Sequence, residues 1–526
     1  MSSPPSRQIE TLCGPLVGRR LIHEGPKQVD AFQGIPYAKA PVGELRFKKP
    51  VAVEPWTTVR YCKQFGPRSV QKEFPGEVCP IPISEDCLNL NVFTPVWSPE
   101  DKKGFATIVY IHGGGFLFDS AWKYGDINIC ENLVTKDVVV VTVQYRCGYL
   151  GMFSTGDSVC PGNNLLWDLT LALQWVKDNI SFFNGDPNNV TVIGQSAGGA
   201  LAHYLSLSPH SRDLFHKVVP MAGDTCDFWS LANRLVEVCQ EKATALGVTT
   251  NDSAQMVEEL RKVPAESFAL GILDTGDETK DISMDKTGLA PTFDGDFFPK
   301  PIDELRKEAP QKPMLTGVCR YEGLIYLLDC TQTRKTIEGV AAARFAENHY
   351  PKQFKELREE YVKRLTEDVR NEETLQRAIA QAMGDHMFII GCQQNVISHL
   401  ENGHPGVYLY VMDYFNEKMN GIITANSPFQ GAMHCCDVSF LIQKNVFFPF
   451  EFEGEDKKVS NTIATYFTNF AKFGNPNGED ETLTEWLPAT KENPERNLQI
   501  DRPFVMSDSY FSGRPRWVVE KSKESE

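Results

Sequence analysis

The segment Val190-Thr191-Val192-Ile193-Gly194-Gln195-Ser196-Ala197-Gly198-Gly199-Ala200-Leu201 decides the architecture. Val190 to Ile193 are β-branched in succession and read as a strand buried on both faces, while Ala197 to Leu207 reads as a helix that Pro209 helps to end. Between them, Gly194-x-Ser196-x-Gly198 makes the chain pass from strand to helix in one sharp turn. Side chains at 194 and 198 would collide across that turn, and Ser196 is left at its tip. A serine hydroxyl is a poor nucleophile near neutral pH, so it must be exposed beside a base and away from competing backbone hydrogen bonds. A strand-to-helix corner does this.

The same strand and helix signals recur on both sides of the corner. Ala106 to Ile111 and Val138 to Tyr145 are further continuous β-branched runs, too apolar on both faces for a half-exposed sheet. Such runs suit a parallel sheet covered by helices. Between the second and third runs, Leu166, Leu169, Leu173 and Val176 recur at helical spacing within Leu165 to Val176, so strand, helix and strand form a right-handed crossover. Val218 to Met221 reads as the next strand. From about Ser230 to Ala382 the pattern turns mostly helical and charged, as in Phe354 to Leu365, and reads as helical insertions around a pocket. A strand resumes at Val407 to Val411, and Val459 to Phe473 is a closing amphipathic helix before Gly474-Asn475-Pro476. The expected architecture is α/β: a large, mostly parallel sheet flanked by helices, with helical insertions. Without a repeat or long low-complexity linker, residues 1–526 read as one domain, with about 1–8 and 515–526 as disordered tails.

The 69 acidic and 53 basic residues give a net charge of −16, with no basic stripe to track a phosphate backbone, which argues against a nucleic-acid partner. No stretch approaches the ~18 uncharged apolar residues of a membrane span. Met1 to Arg7 is polar and Pro/Ser-rich, with no apolar run behind it, so nothing reads as a secretory signal. The 14 cysteines lack paired C-x₂-C spacing and read as free, mostly buried thiols, with neither metal nor cofactor expected. Sequons at Asn179, Asn189 and Asn251 would matter only in a secreted protein.

His112-Gly113-Gly114-Gly115 also follows a strand, and its glycines let backbone N–H groups approach a developing oxyanion. His434, in Gly431-Ala432-Met433-His434, stands out by position among ten histidines; for the acid, the 69 carboxylates are too many for spacing to choose among. The order Ser196, Glu322, His434, with the glycine loop upstream, is that of α/β-hydrolases.

Several longer stretches carry a specific resemblance. Phe32 to Ala38 (FQGIPYA) with Pro41-Val42-Gly43 and Arg46-Phe47, then Ser84 to Val92 (SEDCLNLNV), Asn184 to Thr191 (NGDPNNVT) and Phe470 to Pro476 (FAKFGNP) resemble the type-B carboxylesterase and cholinesterase family over nearly the whole chain. The resemblance implies a triad of Ser196, Glu322 and His434, an oxyanion hole of the N–H groups of Gly114, Gly115 and Ala197, and a structural ion pair between Arg46 and Glu85. It implies a serine carboxylesterase acting on neutral carboxylic esters, as small-molecule substrates, through an acyl-enzyme. An acyltransferase using the same acyl-enzyme is the alternative, and a non-catalytic adhesion or binding protein of the same fold is a second.

The chain also departs from that family. Gln195 stands where the family usually has glutamate, and no tryptophan occurs between Trp56 and Trp97, where choline-binding members carry one. Cholinesterase activity is not expected. The family's loop disulfide would join Cys87 to the position of Ser69, and a second bridge would fall near Val248 and Glu259, so the implied bridges lack partners. Cys79 remains as an alternative partner for Cys87. These losses favour a reducing compartment, with the cytoplasm as the expected location. Asp224 stands where the family usually has a serine near the triad acid, either close to Glu322, where it would raise one of their pKa values, or facing solvent. Asp437 stands in place of a glutamate. A monomer or a homodimer is expected.

Overall fold

The computed structural model describes residues 3–73, 78–271, 288–327, 333–421, 428–479 and 482–525. Thirteen strands form one sheet: β1 (Pro5–Thr11), β2 (Gly14–Ile22), β3 (Val29–Pro36), β4 (Arg60–Tyr61), β5 (Asn89–Pro95), β6 (Phe105–Ile111), β7 (Val138–Val143), β8 (Gly185–Gln195), β9 (Lys217–Met221), β10 (Leu315–Cys319), β11 (Tyr408–Met412), β12 (Asn497–Ile500) and β13 (Val505–Ser507). Their order is β1-β2-β3-β5-β7-β6-β8-β9-β10-β11-β12-β13, with β4 beside β2.

From β7 to β12 every neighbouring pair is parallel. Both margins are antiparallel: β1, β2, β3, β5 and β7 on one side, β12 and β13 on the other. The expected parallel sheet is therefore the centre of a mixed one. Short connections such as Thr11 to Gly14 can only fold back as hairpins, whereas parallel neighbours need a crossover. One crossover is the helix Asn164–Asn179 between β7 and β8, whose Leu165, Leu166, Leu169, Leu173 and Val176 are buried. All residues of β6 and β7 are buried, as two-sided coverage requires.

Three sequence expectations need correction. The region from 230 to 382 is largely helical where described, but it also contains β10, a central strand. Leu315-Thr316-Gly317-Val318-Cys319 is short and broken by glycine, so it carries little strand signal; glycine is required because a Cβ at 317 would stand 2.4 Å from the Tyr410 ring. The amino end is no tail, because Pro5–Thr11 pairs with β2. Nor is the carboxyl end, because Arg514–Ser525 forms a helix that buries Val518 and Val519.

Candidate active site

Backbone packing builds the corner at Ser196. Ser196 adopts φ 57°, ψ −130°, a conformation that costs a non-glycine residue about 1–3 kcal/mol and persists only where its surroundings enforce it. A Cβ on Gly194 would stand 2.0 Å from the Gly198 carbonyl oxygen, one on Gly198 2.2 Å from that of Ile111, and one on Gly223 2.1 Å from that of Ser196 itself. The Ser196 N–H donates to Met221 O at 2.8 Å, and its carbonyl accepts from Gly199 and Ala200 at 2.8 and 3.1 Å. With its backbone groups satisfied, the half-buried side chain projects from the helix start, and Gln195 and Ala197 on either side are buried.

Because β6 pairs with β8, with Ile111 opposite Gly194, the loop after β6 lies alongside the corner. A Cβ on Gly113 would be 3.1 Å from Ser196 Cβ. Gly114 and Gly115 have φ of 94° and 58°, and a Cβ on Gly114 would meet Phe118 O at 2.2 Å. Among the described residues, no hydrogen bond uses the N–H groups of Gly114, Gly115 or Ala197. Three donors on two adjacent segments are thus available to an oxyanion. His112 is buried, stacks on Tyr145 at 4.4 Å, and burial lowers its pKa, so it is a neutral core residue.

Glu322 and His434 come together. Glu322 follows β10 within three residues, and its Oε1 accepts from Cys319 N–H at 2.5 Å. Its Oε2 lies 2.5 Å from His434 Nδ1, and both side chains are buried. In the neutral imidazole Glu322 therefore fixes the tautomer, with Nδ1 protonated and Nε2 open. The Gln195 carboxamide Nε2 lies 3.2 Å from that open nitrogen. Among the described residues, no hydrogen bond joins the Ser196 hydroxyl to His434.

Burial disfavours the imidazolium of His434, but Cys435 and Glu322 outweigh it and raise the pKa well above the ordinary histidine value. Burial raises the Cys435 thiol above its ordinary value as well. Asp437 is pushed up to about 6 by burial and then by Glu322, while its Oδ2 accepts from Tyr410 OH at 2.6 Å. Asp224 does not face solvent. It is buried beside Asp227, whose Oδ2 accepts from its N–H at 2.8 Å, and burial pushes it up to about 6. Burial and then Asp224 raise Asp227 further, with Glu322 a smaller contributor.

Sequence reading missed the aromatic side of this site. Phe388 stacks on the His434 ring with centroids 4.3 Å apart and 15° between planes, and Trp229 packs edge-on against Phe388. Phe388 is carried by a π-helical turn, Asp385–Ile389. Arg344 Nη2 donates to the carbonyls of Asp385 and His386 at 3.2 and 2.5 Å, and Trp229 Nε1 to that of Met387 at 2.6 Å. The Asp385 carboxylate takes both prongs of Arg514, at 2.6 and 2.9 Å, and the Tyr361 hydroxyl at 2.9 Å. A π-turn has no sequence signature of its own, and partners this distant in sequence offered none.

Farther out, Arg46 and Glu85 form a bidentate pair with two 2.6 Å contacts. Cys87 is a free buried thiol, so it is not paired with Cys79, and Ser69 instead accepts from Cys147 N–H at 2.9 Å. Among the described residues, no group of three or more His, Cys, Asp or Glu side chains could hold a metal ion, and no helix is long and apolar enough to cross a membrane.

Known proteins resemble the chain over nearly its whole length. The Carboxylesterase family model matches residues 5–517. The chain is 40% identical to Esterase cest-33 of Caenorhabditis elegans, over 99% of this chain and 96% of that protein. It is 32% identical to the medium-chain fatty acyl-CoA hydrolase precursor of Anas platyrhynchos, over 91% and 86% respectively. It is 31% identical to Pyrethroid hydrolase Ces2a of Mus musculus, over 90% and 84%.

Proposed function

The chain belongs to the Carboxylesterase family, and from that membership we propose that it hydrolyses neutral carboxylic esters with Ser196 as nucleophile, His434 as base and Glu322 as orienting acid. The observation that carries the assignment is the 2.5 Å contact of His434 Nδ1 with Glu322, beside the corner that presents Ser196. As Ser196 Oγ attacks the ester carbonyl, its proton passes to His434 Nε2. The carbonyl oxygen gains the electron pair, and the N–H groups of Gly114, Gly115 and Ala197 hold it; one such donor typically contributes about 10²–10³ in rate. Glu322 stabilises the imidazolium, which returns the proton to the leaving alkoxide as the C–O bond breaks. Water, activated by His434, then releases the acid.

Gln195 leaves the elbow without the charge that would favour a cationic substrate, and Phe388 and Trp229 supply an apolar wall beside the base. Both features favour neutral acyl groups. The free Cys87 thiol, with serine at 69, supports work in the cytoplasm.

The test is hydrolysis of p-nitrophenyl esters from acetate to octanoate by the wild type and Ser196→Ala, with mass spectrometry after organophosphate treatment. The expected result is turnover by the wild type, one adduct on Ser196, and a loss of about 10⁶ in kcat for the variant. An adduct on Ser196 with little hydrolysis would favour an acyltransferase. Absence of any adduct would overturn the assignment in favour of a binding protein.

A further inference from the structure

The nitrogen that this mechanism needs open is already occupied at rest. His434 Nδ1 faces Glu322, so Nε2 is the edge left for Ser196, and the Gln195 carboxamide sits on it at 3.2 Å. Gln195 ends β8, immediately before Ser196, and is 1% exposed. Its carbonyl and carboxamide oxygens would lie 2.7 and 3.2 Å from a Cβ on Gly113. The amide is thus wedged between the glycine loop and the imidazole, two parts of the machinery that share no other side chain described above.

We propose that Gln195 is a positioning residue: its carboxamide holds the Nε2 edge of His434 at the elbow and remains a partner for that nitrogen in both protonation states. This rests on the preceding assignment of Ser196, His434 and Glu322. An amide offers a donor on one edge and an acceptor on the other. When the imidazole is neutral the Gln195 N–H donates to its Nε2 lone pair, and when the ring is protonated the carboxamide oxygen accepts from Nε2–H. As an ester seats, the Ser196 hydroxyl takes over that lone pair, and its proton moves to Nε2 while the Oγ–C bond forms. The amide, turned by half a rotation, then presents its oxygen to the new Nε2–H until the leaving alkoxide accepts the proton.

Glutamate at 195 could only accept. It would favour the imidazolium at rest and delay the base until higher pH. The titratable groups that face His434 are Glu322 after β10, the adjacent Cys435, and Asp437 on the helix Cys436–Leu441; Phe388, on the ring face, is uncharged. The variants below change none of them.

The experiment is the pH dependence of kcat/KM for the wild type, Gln195→Glu and Gln195→Met, paired with the rate at which an organophosphate labels Ser196 across the same range. Gln195→Glu should move the acid limb of both profiles upward by about one unit or more. Gln195→Met should lower kcat by about tenfold with little change in KM, a fraction of what general-base catalysis supplies. An acid limb that stays in place in Gln195→Glu overturns the proposal, as does an unchanged kcat in Gln195→Met. Should Gln195→Met fail to fold, the near-isosteric Gln195→Glu still decides. Failure of the wild type to label at Ser196 would instead overturn the underlying assignment.

Discussion

The two halves of the candidate site are held by different forces. On the Ser196 side, backbone rests on backbone: Gly194, Gly198 and Gly223 each sit where a Cβ would come within 2.0 to 2.2 Å of a carbonyl oxygen. On the His434 side, ionisable side chains dominate. Glu322, Asp437, Asp224 and Asp227 are all buried, with Arg344, Arg514 and Tyr361 holding the neighbouring turn. The first half is fixed by volume and the second by charge. The elbow should therefore be indifferent to pH, and the acid–base side should not.

Replacing Glu322 with Gln would break the charged side most severely. The amide keeps the carboxylate's shape but cannot stabilise the imidazolium, and kcat should fall by about 10⁴. The thermal midpoint should fall only modestly, because the amide keeps the shape and the Cys319 N–H contact while the pair with His434 is lost. A midpoint that falls in step with kcat would break the distinction between the two halves.

Gly198→Ala probes the other side. Its methyl would press on the Ile111 and His112 carbonyl oxygens, at 2.2 and 2.5 Å, and backbone cannot yield as a side chain does. A loss of about 3 kcal/mol is expected in denaturant unfolding. The loss should be the same at pH 5 and pH 8, because volume does not titrate.

Asp224→Asn should give an effect no larger than that, and the sharpest sign. The folded-state pKa of Asp224 is pushed up to about 6, above the unfolded value of about 4. Between those values the unfolded chain sheds the proton first, so the folded state loses stability as pH rises, and the penalty is constant above. Asparagine removes the penalty and keeps an oxygen for the Cys226 N–H, which Asp224 accepts at 2.6 Å. The variant should gain up to about 3 kcal/mol at pH 8 and nothing at pH 4. A gain at pH 4 as well would show that packing rather than charge sets the effect.

This division also explains what could be read from sequence. Tight backbone turns demand glycine, so Gly194, Gly198 and the 113–115 loop announce their geometry, and the runs of β6, β7 and β8 announce a covered sheet. The position of Glu322 was not legible in that way. Its strand, β10, is five residues long with glycine in the middle, and only family resemblance singled out the acid. Asp227 and Phe388 gave no signal at all. Their roles depend on neighbours distant in sequence: Phe388 on His434, 46 residues on, and Asp227 on Gly391, where a Cβ would stand 2.0 Å from Oδ1. The antiparallel margins were missed because alternating, half-buried strands such as Gly14–Ile22 lack the long apolar runs of the centre.

The pairing of Asp385 with Arg514 makes the order of synthesis matter. Every residue of the elbow has been synthesised once Gly223 is made, so that corner's own parts exist while more than half of the chain is still to come. The turn under Phe388 has no such independence, because its buried carboxylate waits for an arginine 129 residues later. A nascent chain therefore carries every part of the serine corner long before the ring of His434 has its supporting wall. Competence in this protein arrives with the helix that Arg514 begins.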